Sequence, residues 1–286
     1  MRALFLSLAV LAAAALSLAP VALADDGVSS NWAGYAVHGA GFHSVWASWR
    51  QPGVSCARGQ TAYSAYWVGL GGYSAGSQAL EQIGTEADCR NGRPVLSAWF
   101  EMVPAASVPV SLPVSPGDDI TALVTVSGHR ATLMLSDATR RRSFRTAVWS
   151  GPIDITSAEW IVEAPSDCLS TCTTLPLANF SSAVFTGAKA QLSDGYVGAI
   201  ADRRWSTTRI RLSPSGRQFV VNNGGSRLAG AAVTSGLSWG GSVFAVSYTT
   251  VTAPGAGSYG LRRLLAGSGR LVHPLRSGRA SALAHP

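Results

Sequence analysis

The sequence predicts an all-β protein made of two packed antiparallel sheets, and three observations lead to this prediction. Between Val28 and Thr252 the chain consists of short runs in which apolar and polar residues alternate, as in strands with one buried face. Glycine, proline, serine and aspartate interrupt these runs, and no stretch has the period of an amphipathic helix. The runs number about a dozen, too many for one open sheet of ordinary size, so we expect a two-sheet β-sandwich.

Each predicted strand is an alternating or continuously apolar run that ends at turn-forming residues. The cluster Arg140-Arg141-Arg142 lies between two such runs, and we expect it at the tip of a hairpin. In chain order the predicted strands are Trp32–His38, Val45–Arg50, Ala65–Leu70, Ala79–Gly84, Val95–Val103, Ile120–Val126, Ala131–Leu135, Phe144–Val148, Glu159–Glu163, Ala183–Thr186, Gln218–Val221 and Val243–Thr250.

The nine tryptophans are many for a chain of this length. Large aromatic side chains dominate the cores of β-sandwiches, although indoles on a sheet face also bind sugars. We expect most of them, notably Trp46 and Trp149, to lie in the core.

The two ends of the chain differ in composition from the part between them. Residues 1–24 combine Arg2, an apolar run and an A-x-A site before Asp25, which predicts a cleaved signal peptide and a secreted protein. The apolar run is too short and too broken for a membrane anchor. Residues 25–252 form the predicted sandwich domain. Residues 253–286 are rich in glycine, arginine and serine, and we expect a disordered tail.

The four cysteines of an exported chain predict two disulfides. Three pairings are open. We favour Cys56–Cys89 together with Cys168–Cys172, because the other two pairings join distant segments. No histidine lies near either pair and no histidines have metal-ligand spacing, so we expect no metal site and no cofactor.

The chain carries a formal net charge of +7, supplied almost entirely by arginine. A basic balance can indicate an anionic partner such as nucleic acid or a wall polymer. The arginines are scattered along the chain, however, so we expect no nucleic-acid binding, and we expect a monomer.

Two carboxylates lie in the apolar run Ala158-Glu159-Trp160-Ile161-Val162-Glu163. In a strand, Glu159, Ile161 and Glu163 share one face, while Trp160 and Val162 share the other. Burial raises the pKa of a carboxyl and makes it a proton carrier near the working pH, as general acid–base catalysis requires. The alternative is that both acids lie on the solvated face of an edge strand.

Five stretches together resemble the glutamic peptidases, or eqolisins. In chain order they are Ser30-Asn31-Trp32-Ala33-Gly34-Tyr35, Tyr66-Trp67-Val68-Gly69-Leu70-Gly71, Ala79-Leu80-Glu81-Gln82-Ile83-Gly84-Thr85-Glu86, Ser97-Ala98-Trp99-Phe100-Glu101-Met102-Val103-Pro104, and the run that ends at Glu163.

The resemblance implies a concanavalin A-like jelly roll whose concave sheet carries a catalytic pair that cleaves polypeptides at acidic pH. The family's catalytic glutamine falls on Gln82 and its catalytic glutamate on Glu163, and we expect the two on neighbouring strands of one sheet. Trp67 and Glu101 fall on cleft-lining positions, and we add Trp32 and Glu86 as substrate-binding candidates. Gly71 replaces an aspartate of the fungal members, a change that we expect to lower the pKa of Glu163 while burial raises it.

Two other readings of the same residues stay open. A carbohydrate-active or carbohydrate-binding sandwich would stack Trp67, Trp99 and Trp160 on sugar rings and use two glutamates as an acid–base pair. A non-catalytic relative would bind peptides without cutting them. Release of sugar, or the absence of any turnover, would distinguish these readings from a peptidase.

Overall fold

The computed structural model describes residues 24–168, 172–219, 223–226 and 230–250. The predicted signal peptide up to residue 23, and the predicted tail, lie outside the described residues. Every regular element within the described ranges is a β-strand, and none of these residues forms a helix that is long and apolar enough to cross a membrane.

The strands are short and follow one another closely along the chain. They are β1 Asp25–Ser29, β2 Trp32–His38, β3 Phe42–Arg50, β4 Ala65–Gly71, β5 Leu80–Arg90, β6 Arg93–Val103, β7 Val108–Val110, β8 Asp119–Ser127, β9 Arg130–Asp137, β10 Arg142–Trp149, β11 Ser157–Glu163, β12 Ser166–Cys168, β13 Cys172–Thr174, β14 Ser182–Leu192, β15 Val197–Ala199, β16 Ser206–Leu212, β17 Asn223–Ser226, β18 Ala231–Thr234 and β19 Phe244–Thr249.

Sixteen of the strands form one hydrogen-bonded sheet that folds over into two layers. Its order is β10-β9-β8-β3-β14-β19-β18-β16-β2-β11-β4-β5-β6-β7, with β1 added to β16 and β15 to β14. The front layer runs from β16 to β7 and the back layer from β10 to β19, and β18 joins them at one edge. The predicted all-β sandwich fold is therefore confirmed, with its two layers continuous rather than separate.

The main core lies between the layers and is built by alternate residues of each strand. Tyr66, Val68 and Leu70 of β4 face it from the front, and Ala122 and Val124 of β8 face it from the back. A second, smaller cluster of aromatic and aliphatic side chains lies on the other face of the front layer. This second face carries the candidate active site.

Three predictions about single residues or elements were wrong. Trp46 is partly exposed and lies on the outer side of β3, because Val45 and Ala47 on either side of it face the core. Trp149 is 75% exposed, because β10 alternates at the edge of the back layer and turns Val148, not Trp149, toward the core. The predicted strand Gln218–Val221 is not formed by its described residues: Gln218 and Phe219 are irregular, and residues 220–222 lie outside the described ranges. The backbone N–H of Phe219 pairs with a side chain, Asn31 Oδ1, instead of a neighbouring strand.

Both expected disulfides are present. Cys56–Cys89 joins the loop after β3 to the end of β5. Cys168–Cys172 closes the small hairpin between β12 and β13. This hairpin and β17 form a three-stranded sheet of their own.

Candidate active site

Strand β11 places its two acids on the second face of the front layer, as the alternation predicted. Trp160 and Val162 belong to the main core, whereas Ile161 belongs to the cluster on the opposite face. Glu159 lies two residues before Ile161 and Glu163 two residues after it, so both glutamates share that opposite face.

Strands β4, β5 and β6 bring the other polar candidates to the same face. Gly69 pairs with Glu159 on one side and with Gln82 on the other. Gln82 in turn pairs with Glu101 of β6. Since residues directly opposite in adjacent strands point to the same side of a sheet, Glu159, Gln82 and Glu101 lie in one row across the front layer.

Glu163 is held by two neighbouring side chains. The indole Nε1 of Trp67 donates a hydrogen bond to Glu163 Oε2 at 2.8 Å. Asn31 Nδ2 donates to Glu163 Oε1 at 3.3 Å. The carboxyl group therefore has a fixed orientation, while the side chain keeps a partly exposed position.

Trp67 also extends toward Gln82. A Cβ on Gly69 would lie 3.0 Å from Trp67 Cζ3 and 3.2 Å from Gln82 Cβ, so the far edge of the indole and Gln82 both border Gly69 while the indole Nε1 contacts Glu163. Only a glycine at position 69 leaves space for this arrangement. We expected Gln82 and Glu163 on neighbouring strands, and this is wrong: β4 lies between β5 and β11.

Gln82 has one partner and one unpartnered atom. Its Nε2 donates to Glu101 Oε2 at 2.5 Å. Its Oε1 is buried and has no hydrogen-bond partner among the described residues. One N–H and the carbonyl oxygen of the amide are thus available to a ligand, with the amide held in place by Glu101.

Burial makes both glutamates of this site weak acids. Burial raises the pKa of Glu163 to about 8, and repulsion from Glu101 adds to this rise. The hydrogen bonds from Trp67 and Asn31 oppose the rise. Burial raises the pKa of Glu101 to about 7, which the hydrogen bond from Gln82 opposes and the charge of Glu86 reinforces. Below neutral pH both groups are therefore predominantly protonated.

The remaining predicted site residues take different places around this centre. Glu86 pairs in register with Ala65 of β4, and Ala65 pairs with Glu163 on its other side. The carboxyl of Glu86 accepts a hydrogen bond from Ser97. Trp32 is fully buried, and its ring lies against Trp67. Trp32 and Trp67 are both buried, and through the Trp67 indole they help to hold Glu163 in place.

The sequence prediction missed Asn31 and Phe219. Phe219 stacks on Trp32 with ring centroids 4.6 Å apart, and its N–H and C=O both pair with the side-chain amide of Asn31. Asn31 thereby connects the 217–219 segment to Glu163. Asn31 is part of the motif that runs from Ser30 to Tyr35, but only Trp32 of that motif was considered as a site residue.

Two further buried acids lie near the starts of β5 and β11, on opposite faces of the front layer: Glu81 pairs with Leu70 of the main core, and Glu159 belongs to the row described above. Glu81 and Glu159 are fully buried, and none of their carboxyl oxygens has a hydrogen-bond partner among the described residues. Burial raises the pKa of Glu81 to about 8, and the charge of Asp154 adds to the shift. Burial also raises the pKa of Glu159 well above its usual range.

Asp154 itself behaves differently. Burial raises its pKa, but hydrogen bonds from Ser77, Thr156 and the backbone of Gly72 outweigh that effect and lower it. Its side chain occupies the space beside Gly71, where a Cβ would lie 2.7 Å from Asp154 Cβ. Within the described ranges, no three His, Cys, Asp or Glu side chains are arranged to hold a metal ion.

Comparison with known proteins agrees with this geometry. The fold matches the crystal structure of scytalido-glutamic peptidase with a transition state analog inhibitor, with a TM-score of 0.61, 25% identity, and coverage of 77% of this chain and 98% of that one. The fold and the related sequences assign the chain to the glutamic peptidases, hydrolases acting on peptide bonds. The chain belongs to the peptidase A4 family, whose model matches residues 30–221.

Two curated relatives support this assignment. The chain is 29% identical to aspergillopepsin-2 of Aspergillus niger over 198 residues, which are 61% of this chain and 68% of the relative. It is 31% identical to scytalidopepsin B of Scytalidium lignicola over 176 residues, 59% of this chain and 65% of the relative. The fold also resembles aspergilloglutamic peptidase from Aspergillus niger, with a TM-score of 0.51 at 23% identity. Family membership thus favours the peptidase reading over a carbohydrate-active sandwich.

Proposed function

We propose that this chain is a secreted endopeptidase that cleaves polypeptides at acidic pH with Glu163 as general acid and base and Gln82 as the group that holds the carbonyl oxygen. One observation carries the proposal. A single buried indole, Trp67, contacts the carboxyl of Glu163 at one end and at the other borders Gly69, which Gln82 also borders, on one face of the front layer.

The pKa of Glu163 suggests how the reaction starts. With a pKa of about 8 the carboxyl carries a proton in the acid range. As water attacks the scissile carbon, one carboxyl oxygen donates its proton to the carbonyl oxygen and the other accepts a proton from the water. The tetrahedral adduct therefore forms without net charge. When it collapses, Glu163 donates a proton to the leaving nitrogen and takes one from a hydroxyl of the adduct.

Gln82 complements this cycle. The N–H that does not bind Glu101 can donate to the carbonyl oxygen, and the unpartnered Oε1 can accept a hydrogen bond from the attacking water. Glu101 holds the amide in the orientation that both bonds require. No metal or cofactor takes part in these steps.

A carboxyl and an amide replace the two carboxyls of an aspartic peptidase, which share one proton because two like charges at that distance cannot both ionise. We therefore propose that pepstatin, which is directed at such a pair of carboxyls, does not inhibit this enzyme.

Degradation of a denatured protein at several acidic pH values, with and without pepstatin, tests the proposal. We expect turnover that survives pepstatin, and a loss of about 10²–10⁴ in rate in both Glu163→Gln and Gln82→Ala. The control Asp119→Asn changes an exposed acid of the back layer and should keep full activity. Parent-like activity in either site variant would show that the assigned roles are wrong.

A further inference from the structure

The side chains on the outer face of the back layer form rows across the strands. The register of β14, β3, β8, β9 and β10 aligns one outward residue from each strand. Since neighbouring strands lie about 4.8 Å apart, such a row presents a side chain at regular short intervals. The central row is Lys189, Trp46, Leu123, Met134 and Arg145.

The adjacent row consists entirely of hydroxyl side chains. Ser48 and Thr121, at its centre, hydrogen-bond to each other at 2.7 Å. The others are exposed or partly exposed, and each can donate and accept hydrogen bonds. The row is Thr186, Ser48, Thr121, Ser136 and Ser143.

Positive charge on this face is not compensated. Lys189, Arg145 and Arg130 are exposed, and the salt bridges found among the described residues involve none of them. On the outward positions of these strands the one acid is Asp119, which pairs in register with Arg50. Three cations therefore remain available to an external anion.

An exposed indole completes the surface. Trp149 pairs in register with Arg130 at the edge of the layer and is 75% exposed. A tryptophan ring provides a flat apolar surface for sugar rings, and an arginine beside it provides a partner for carboxylate or phosphate groups.

We propose that this face binds an anionic polysaccharide. Hydroxyl side chains match the hydroxyl groups of the sugars, Trp149 stacks on a ring, and Lys189, Arg130 and Arg145 bind the acidic groups of the polymer. The face lies on the opposite side of the sandwich from Glu163 and Gln82. A bound polymer therefore leaves the candidate active site open. It also retains the enzyme on a matrix that contains the anionic polymer.

Affinity electrophoresis of the full chain through gels containing polygalacturonate, or neutral dextran as reference, tests this proposal. We expect retardation by polygalacturonate alone. Arg130→Ser/Arg145→Ser should weaken it by about tenfold, since the variant loses two exposed ion pairs with the polymer. Trp149→Ala should weaken it independently. The matched control Arg58→Ser/Arg93→Ser removes the same charge from exposed positions elsewhere and should bind within about twofold of the parent.

Three results would overturn the proposal. The first is an unretarded parent protein. The second is equal weakening in the control double variant, which would indicate an effect of net charge alone. The third is a combination of two results: polyaspartate or a DNA oligonucleotide competes for the face as well as free polygalacturonate does, and Trp149→Ala has no effect on retardation. This combination would indicate a general polyanion surface. Unchanged thermal unfolding of each variant, followed by circular dichroism, shows that a loss of binding is not a loss of fold.

Discussion

The indole of Trp67 and the carboxyl of Glu163 lie on adjacent strands and share a hydrogen bond of 2.8 Å, although 96 residues separate them along the chain. The bond holds one carboxyl oxygen in place without supplying a charge. It also lowers the pKa of Glu163, against the larger effect of burial.

Replacing Trp67 by phenylalanine should therefore impair catalysis while keeping most of the packing. The variant lacks the donor, so the pKa of Glu163 should rise and its carboxyl should lose its fixed orientation. We expect kcat to fall by about tenfold or more, as the loss of one hydrogen bond to a charged or reacting group would produce. The alkaline limb of the pH–rate profile should move to higher pH. An unmoved limb would show that the indole has only a packing role.

The pH–rate profile of the parent enzyme tests which form of Glu163 starts the reaction. If the protonated form starts it, kcat/KM should decline as pH rises through about 8, where that proton is lost. If the ionised form starts it, kcat/KM should rise over the same range. No histidine contacts Glu163 or Gln82 among the described residues, so a step near pH 7 would report the ionisation of Glu101, which holds Gln82, rather than that of a histidine. Activity that is greatest at alkaline pH would exclude the mechanism proposed above.

Stability should be greatest at acidic pH. Folding raises the pKa of Glu81 from 4.5 to about 8, so the folded state binds more protons than the unfolded state between these values. The stabilisation is complete below about 4.5 and is lost as pH rises through about 8. Glu159 acts in the same direction. Urea unfolding across this range should show a falling midpoint.

Glu81→Gln keeps a neutral side chain of similar shape, so its unfolding midpoint should depend less on pH than that of the parent. The control Asp119→Asn, at an exposed position, should retain the parent's dependence. A parent-like slope in Glu81→Gln would show that Glu81 does not control the effect.

The two disulfides should contribute differently. The cysteines of Cys56–Cys89 have a sequence separation of 33, and those of Cys168–Cys172 a separation of 4. Because a disulfide that closes a longer loop stabilises more, removal of Cys56–Cys89 should lower the thermal midpoint more than removal of Cys168–Cys172. Removal of the second should instead affect the site. Gln218 Nε2 donates to Cys172 O, Thr174 Oγ1 and Ser166 Oγ, and the next residue, Phe219, is bound to Asn31.

Double cysteine-to-serine variants check this prediction. We expect Cys168→Ser/Cys172→Ser to raise KM with little change in midpoint, and Cys56→Ser/Cys89→Ser to lower the midpoint with KM nearly unchanged. The reverse pattern would contradict the assignment.

The sequence predicted the fold because burial in a sandwich imposes an alternation that is visible locally. Glu159, Ile161 and Glu163 were assigned to one face from that alternation alone, and the structure agrees. Strand order is a different matter, because it depends on long-range pairing that no local pattern records. The position of β4 between Gln82 and Glu163 was missed for this reason.

Other errors came from side chains whose partners are distant in sequence. Trp149 has the composition of a core residue, but its exposure is decided by the edge position of β10. The prediction omitted β16, in which the buried Ile210 lies between Arg209 and Arg211. Asn31 contacts Phe219 across 188 residues, a contact that one sequence cannot reveal.

The continuity of the folded-over sheet bears on a hazard that any exported β-protein meets. A sandwich of two separate sheets has four edge strands, and each could pair with another molecule. Here the joint through β18 leaves the main path with two ends, β10 and β7. The first carries exposed arginines, and the second is three residues long with Pro109 at its centre. Charge and proline both oppose edge-to-edge pairing, so the joint through β18 reduces the number of edges at which another chain could add a strand.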